Sequence, residues 1–164
     1  MKKYLLVLLV IGVAFALSCA GSQMTDVSDP NAMFAATSNQ SLAKVPVKGF
    51  DYKSSKVPAQ EWDQWADAAA PVVKGILDKL PDGYVLQVTG HADARGPEER
   101  MGAKPGNIKI SADRAKAVYD ALRRKGIESP NMTYKGVGSS EPTADCDPQD
   151  PCQRRVTFKV VPKE

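Results

Sequence analysis

Two stretches of this chain hold the residues best suited to chemistry: Gly90-His91-Ala92-Asp93, and Asn107-Ile108-Lys109-Ile110-Ser111-Ala112-Asp113-Arg114-Ala115. They set an acid, Asp93, 21 residues ahead of a base, Arg114. Tyr84 to Thr89 alternates as a strand does, with Leu86 and Val88 on one face and Val85 on the other. From about Ile108 to Lys125 the apolar residues Ala115, Val118, Tyr119 and Leu122 recur at helical spacing. Asp93 therefore leaves a strand end, and Arg114 falls in the first turns of a helix. Helix N-termini attract anions, because free N–H groups and the peptide dipoles point outward there. The planar fork of an arginine bonds a carboxylate bidentately. A carboxylate fixed beside a guanidinium suits a ligand group that carries both an ammonium and a carboxylate. By residue type alone, such a pair is more often two surface charges or a mutual salt bridge.

The neighbouring polar residues have two readings each. His91 suits a ligand contact or a structural hydrogen bond. Asn107 suits a pocket wall or a helix cap. By residue type Arg155 suits the start of a strand, with a solvated charge. Arg95, Arg100 and Lys104 read as solvated loop charges. Catalysis is disfavoured. The chain has one His, no Gly-x-Ser-x-Gly motif and no Cys-His pair in an obvious site, whereas hydrolysis needs paired carboxylates, a metal cluster or an activated nucleophile. No cofactor or metal is expected. Cys146 and Cys152 make a poor metal pair, since the one His lies 55 residues upstream.

The elements that must position these groups are legible from pattern. Val47, Gly49-Phe50 and Tyr52 suggest a first strand. Trp62, Trp65, Ala66, Ala69, Val72, Val73, Ile76, Leu77 and Leu80 form a core-facing helical stripe, and core packing is the reading for both tryptophans. Pro71 predicts a kink or break in that helix. Gly126 suits the end of the next helix. Met132 to Val137 and Arg155 to Val161 complete the strands. The order is β-α-β-α-β-β, an α/β arrangement with helices packed on a sheet.

The N-terminus is a targeting segment. Lys2 and Lys3 precede a 14-residue apolar run, Tyr4 to Leu17, then Ser18-Cys19. This resembles a bacterial lipoprotein signal, with Ala16 where the strict motif has Leu and Leu17 one place later. Residues 1–18 are expected to be removed and Cys19 lipidated, and acyl chains anchor firmly at about 0.8 kcal/mol per buried CH₂. The alternative is an ordinary cleaved signal with an incidental cysteine. Residues 20–45, rich in Ser, Asn, Asp, Ala and Thr, read as a flexible tether, and 46–164 as the folded domain. Cys146 and Cys152 are then left to pair in an oxidising compartment, a short-loop disulfide that would stabilise by roughly 2 kcal/mol. Without Lys2 and Lys3, 20 basic residues face 19 acidic ones. That balance does not favour nucleic acid or an anionic lipid surface as partner.

The two stretches above, with Gly136-Val137-Gly138, Glu141-Pro142 and Arg154-Arg155-Val156 after them, resemble the domain shared by OmpA C-terminal regions and peptidoglycan-associated lipoproteins. The resemblance covers about residues 47–161. It implies a mixed four-stranded sheet, no enzymatic activity, and a ligand: the meso-diaminopimelate of the peptidoglycan stem peptide. By position, Asp93 would hold its amine and Arg114 its carboxylate. Asn107 would line the pocket, with Arg154 or Arg155 and His91 nearby. It implies an outer-membrane protein, held by lipid at Cys19, with its domain in the periplasm. The sequence departs from the family in a longer loop, Pro97 to Pro105, in Ile110 for Leu, and in Gln153 for Asn or Asp. The long loop with Gly138-Ser139-Ser140-Glu141-Pro142 most resembles the OmpA-like lipoproteins of leptospiras and related bacteria. Among these, a surface-exposed virulence factor or adhesin meeting host molecules is the alternative function.

Overall fold

The computed structural model describes residues 29–164. Cys19, the expected signal at 1–18 and the start of the expected tether lie outside the described residues. The elements are α1 (Pro30–Leu42), α2 (Ala59–Leu77), β1 (Tyr84–Gly90), α3 (Asn107–Arg124), β2 (Met132–Gly136) and β3 (Val156–Pro162). A single 3₁₀ turn, Pro151–Gln153, precedes β3. Among the described residues, no helix is long and apolar enough to cross a membrane.

The sheet is mixed, in the order β2-β1-β3. β1 runs parallel to β2 and antiparallel to β3. The register places Leu86 beside Met132 and Val160, and Val88 beside Tyr134 and Phe158. Leu86, Val88, Met132, Phe158 and Val160 are buried, on the face the helices cover. Gln87, Thr133 and Lys159 share the opposite face. The sheet has three strands rather than the expected four. Residues 47–52 supply only an isolated bridge, in which Val47 and Val156 exchange backbone hydrogen bonds of 2.9 and 2.8 Å. Beyond it the carbonyls of Phe50, Asp51 and Ser54 accept from arginine side chains, so the segment has left strand geometry.

The tryptophan stripe of α2 lies in the core. Trp62 and Trp65 stack at 5.1 Å between ring centroids, and Trp65 stacks on Phe158 of β3 at 5.3 Å. Trp65 Nε1 donates to the Val45 carbonyl at 2.7 Å, which satisfies the one polar atom of a buried indole. The helix continues through Pro71 instead of breaking there. A proline forfeits one helical bond, and the buried stripe on both sides, Trp65 to Val73, outweighs that loss.

Residues 30–42 differ from the expected tether. Asp29 caps α1, its carboxylate accepting from Asn31 N at 2.9 Å, and Pro30 takes the first turn, where its missing N–H costs nothing. Ala35, Ser38 and Leu42 are buried. Asn39 holds the helix to β3 through two bonds, Nδ2 to Val160 O at 3.0 Å and Val160 N to Oδ1 at 2.7 Å. Helical structure packed on β3 is thus present from Pro30, ahead of the domain boundary expected at residue 46.

Candidate functional site

The carboxyl ends of β1 and β2 and the start of β3 meet at one end of the sheet, where Gly90 is level with Gly136 and Val156. The crevice outside the carboxyl ends of parallel strands is the usual place for a ligand in such sheets. Two glycines let α3 close on this end. A Cβ on Gly90 would lie 1.9 Å from Ser111 O, and one on Gly136 would lie 2.2 Å from Ala112 N. Side chains at either position would push the helix, and Arg114 with it, off the strand ends. Ser111 fixes the approach by accepting from Gly138 N at 2.9 Å. Gly126, at φ 75, ends α3 as expected.

Asp93 lies three residues beyond β1 and is 2% exposed. Its Oδ2 accepts from Arg95 Nη2 at 2.8 Å and from Arg154 Nη1 at 2.9 Å. Burial would raise its pKa, but the hydrogen bonds from Arg95 and Arg154 outweigh burial and hold it below the ordinary carboxylate value. Asn107 is buried, and its amide donates to the Asp93 carbonyl and the Glu98 carboxylate, both at 3.2 Å. It is the first residue of α3 rather than its cap, which is Gly106. It lines the small cavity beside Asp93 and Arg114.

Arg114 is 1% exposed. It donates through Nε to Ser54 O at 2.8 Å, Nη1 to His91 O at 2.9 Å and Nη2 to Asp51 O at 2.9 Å. A guanidinium has five N–H groups, so two remain after these three bonds. Among the described residues Arg114 forms no ion pair, although Asp93 is near enough to favour its charge. Burial first, and the like charge of Arg154 second, lower its pKa to about 10, so it stays charged at neutral pH. The mutual Asp93–Arg114 salt bridge, the alternative that residue type alone suggests, does not form: Arg95 and Arg154 both reach the carboxylate, while Arg114 faces the 50–54 segment.

Three arginines hold that segment as a strap across the site. Arg154 Nε donates to Phe50 O at 2.6 Å, Arg114 takes the Asp51 and Ser54 carbonyls, and the Arg95 guanidinium lies 4.3 Å from the Tyr52 ring centroid. Between Tyr52, Lys53, Asp93, Asn107, Ile110 and Arg114 remains a cavity of about 10 Å³, room for about one water.

Other expectations shift. Arg95, by type a solvated loop charge, pairs with Asp93. Its position two residues after the acid, within bonding reach through both its N–H and its side chain, is the signal for it. The strap carbonyls had no signal at all, since backbone atoms are the same under every residue type. Arg155 does not join the site. It is 8% exposed and donates to Gln153 O, Gln153 Oε1 and Glu141 O, so of the pair Arg154 is the one near Asp93. His91 turns its ring away, with Nε2 2.8 Å from Thr157 Oγ1, and only its carbonyl meets Arg114. Burial first, and the charge of Arg155 second, lower its pKa to about 4, against a partial offset from the Glu141 backbone. It is a neutral, structural histidine. The free helix N-terminus is also occupied: Asn107 N and Ile108 N donate to Pro97 O and Glu98 O at 2.9 and 3.1 Å. The long loop takes the place an anion would have had.

Cys146 and Cys152 form a disulfide, with Cα atoms 6.7 Å apart. Gln153, 1% exposed, fills the loop it closes. Its Oε1 accepts from Thr143 N, and its Nε2 donates to the carbonyls of Thr143, Cys146 and Asp147. A shorter Asn or Asp would not span those partners. The loop returns one bond to the site, Ala94 N to Pro148 O at 2.7 Å.

Comparison with known proteins places this geometry. A family model described as OmpA family matches residues 49–155. A peptidoglycan-associated lipoprotein of Agrobacterium fabrum is 35% identical over 71 residues, 43% of this chain and 36% of the relative. That of Brucella melitensis is 32% identical over 87 residues, 52% of this chain and 47% of the relative. The photosystem I P700 chlorophyll a apoprotein A2 of Gloeobacter violaceus is 32% identical over 95 residues, 58% of this chain and 10% of its own length. The chain spans less than half the length of these curated relatives. Among solved structures, the peptidoglycan-associated lipoprotein from Burkholderia pseudomallei superposes with a TM-score of 0.56 at 24% identity, covering 74% of this chain and 93% of that one. The C-terminal domain of Helicobacter pylori MotB gives 0.53 at 18% identity, covering 72% and 84%. At these identities the superpositions speak for the fold.

Proposed function

The chain belongs to the OmpA family, and from that we propose that it ties a bacterial outer membrane non-covalently to peptidoglycan by binding the diaminopimelate of the stem peptide. The chain is not an enzyme. Lipid on Cys19 holds it in the membrane, and the domain meets the wall in the periplasm. The relatives named as peptidoglycan-associated lipoproteins support this reading.

The observation that carries it is Arg114: a buried guanidinium, charged at neutral pH, with two N–H groups to spare and no acidic partner among the described residues. A buried charge without a counter-ion costs several kcal/mol, which an arriving carboxylate relieves. Beside it stand Arg95 and Arg154, so three arginines face the single acid Asp93. The ligand carboxylate bonds Arg114. The ligand ammonium bonds Asp93 in place of Arg95, the more exposed of the acid's two partners at 40% against 12%. Entry requires the Tyr52–Lys53 turn to lift, because the cavity beneath it is too small for the ligand. Each site binds weakly, and many tethered copies on an extended wall supply avidity.

The test is pull-down of the full chain, in detergent, with purified sacculi, and calorimetric titration with meso-diaminopimelate and with ornithine, which lacks the side-chain carboxylate. The parent should bind sacculi and prefer diaminopimelate. Asp93→Ala and Arg114→Ala, verified as folded by circular dichroism, should lose both. A folded parent that binds neither sacculi nor diaminopimelate rules the reading out.

A further inference from the structure

The loop Pro97–Pro105, which the family resemblance leaves without a role, builds a second compartment against the Asp93–Arg114 site. Its cavity of about 490 Å³ is lined by Lys53, Arg95, Pro97, Met101, Ala103, Lys104, Pro105, Asn107 and Ile110, among others. Lys53, Asn107 and Ile110 also line the small cavity beside Asp93 and Arg114, so the two spaces are adjacent across a shared wall. The loop is held in place. Asn107 N and Ile108 N bind its first carbonyls, and Met101 and Lys104 exchange backbone bonds of 3.2 and 3.1 Å. Arg100 Nε donates to Gly102 O at 2.6 Å inside the turn. Two prolines stiffen its ends. A compartment built on a restrained loop binds without a large ordering cost.

Its chemistry is specific. Three cations, Lys53, Arg95 and Lys104, border it, and no carboxylate does. The acid the loop carries on this side, Glu98, is turned away and accepts from Ser139 and Asn107. Apart from Asn107, the rest of the wall is mostly apolar, with Pro97, Met101, Ala103, Pro105 and Ile110. Met101 is 66% exposed at the rim. Such a space suits a short aliphatic group that ends in a carboxylate.

We propose that this compartment binds the chain end of the stem peptide, the d-alanine that follows diaminopimelate, so that the protein distinguishes a tetrapeptide stem from a tripeptide stem. The inference rests on the diaminopimelate reading above. With the side-chain amine and carboxylate of diaminopimelate at Asp93 and Arg114, its backbone carboxyl group faces the shared wall of Lys53, Asn107 and Ile110. Adding d-alanine carries the terminal carboxylate about 3.5 Å further, towards Lys104, and sets its methyl on Met101 and Pro105.

The test titrates three ligands by calorimetry into the full chain in detergent and into Lys104→Glu: free meso-diaminopimelate, the tripeptide stem and the tetrapeptide stem. Lys104 is exposed and touches neither Asp93 nor Arg114, so the variant keeps its fold and first site. The parent should prefer tetrapeptide to tripeptide about tenfold, as one buried methyl and one screened ion pair would give. The variant should lose that preference while binding free diaminopimelate as the parent does. Equal binding of the two stems by the parent, or a preference that survives in Lys104→Glu, overturns the compartment alone. Failure of all three ligands to bind the folded parent overturns the diaminopimelate reading and this inference with it.

Discussion

At the scale of single residues, the site is governed by where side chains point rather than by which ones are present. The motifs gave Asp93, Arg114, Asn107, Arg154, Arg155 and His91 as one group, and the structure divides it. Asp93, Asn107, Arg114 and Arg154 converge, while Arg155 and His91 turn to Glu141 and Thr157. Direction was not legible because both turn on local backbone geometry just outside the strand ends. The structural role of His91 has a consequence in pH. Its pKa is about 4 in the fold against 6.5 unperturbed, so between those values the unfolded chain holds more protons, and stability rises with pH across that window. Above about pH 6.5 the effect is flat. At 1.36 kcal/mol per unit the full loss is about 3 kcal/mol. Asp93, with a lowered pKa, keeps its contribution above its unfolded value of 3.8 and loses it only as pH falls below that. Urea unfolding at pH 7 and pH 4.5 should therefore show a fall of about 2–3 kcal/mol in the parent. His91→Gln, which cannot take the proton, should show a much smaller one. Equal falls in the two proteins would place the sensitivity elsewhere.

At the scale of elements, strong periodicity makes a helix or strand legible in the sequence, and small-residue packing does not. β1, α3, β2 and β3 lie within a residue or two of expectation, because alternation and the 3.6-residue repeat follow directly from burial on one face. α1 carries little apolar signal because its buried positions are Ala35, Ser38 and Leu42. Only their spacing and the Asp29-Pro30 start mark a helix. The missing fourth strand has a different cause: residues 50–54 spend their carbonyls on arginines, and no residue type announces that. α1 owes its position largely to Asn39, which mimics a neighbouring strand by both donating to and accepting from Val160. Asn39→Ala should cost about 2 kcal/mol, since two bonds go and a part-buried β3 edge is left unsatisfied. Val160 N–H should then exchange with solvent faster than in the parent. An unchanged midpoint and exchange rate would mean that α1 is held by its apolar contacts alone. The disulfide loop is coupled to the site through the Ala94–Pro148 bond. Cys146→Ser with Cys152→Ser should lower stability by about 2 kcal/mol and weaken diaminopimelate binding as well. Loss of stability with affinity intact would show that Gln153 alone keeps the loop in place.

At the scale of the whole molecule, the ordered α1 shortens the reach of the proposed anchor. Taking residues 20–45 as a spacer would give the domain wide range. With the helix starting at Pro30 and packed on β3, only residues 20–29 lie in sequence between α1 and Cys19. Fully extended, these ten span at most about 35 Å. A lipid on Cys19 therefore keeps the binding cleft close to its own membrane, so the wall must lie near that surface for the domain to engage it. The same reach on the outer leaflet would leave the domain at the cell surface, where Asp93 and Arg114 meet no peptidoglycan and an adhesin role would fit instead. Protease treatment of intact cells separates the two, because an intact outer membrane screens the periplasm. The expected outcome is full-length chain on immunoblots of intact cells, and digestion only after the outer membrane is permeabilised. A second arm expresses the chain with residues 20–28 doubled by a Gly/Ser insert. A longer spacer should raise the fraction of the protein recovered with sacculi from cells, while purified parent and insert protein bind sacculi alike in solution. Ready digestion on intact cells, with no change in wall recovery on lengthening, would move the protein to the outside and end the anchor reading.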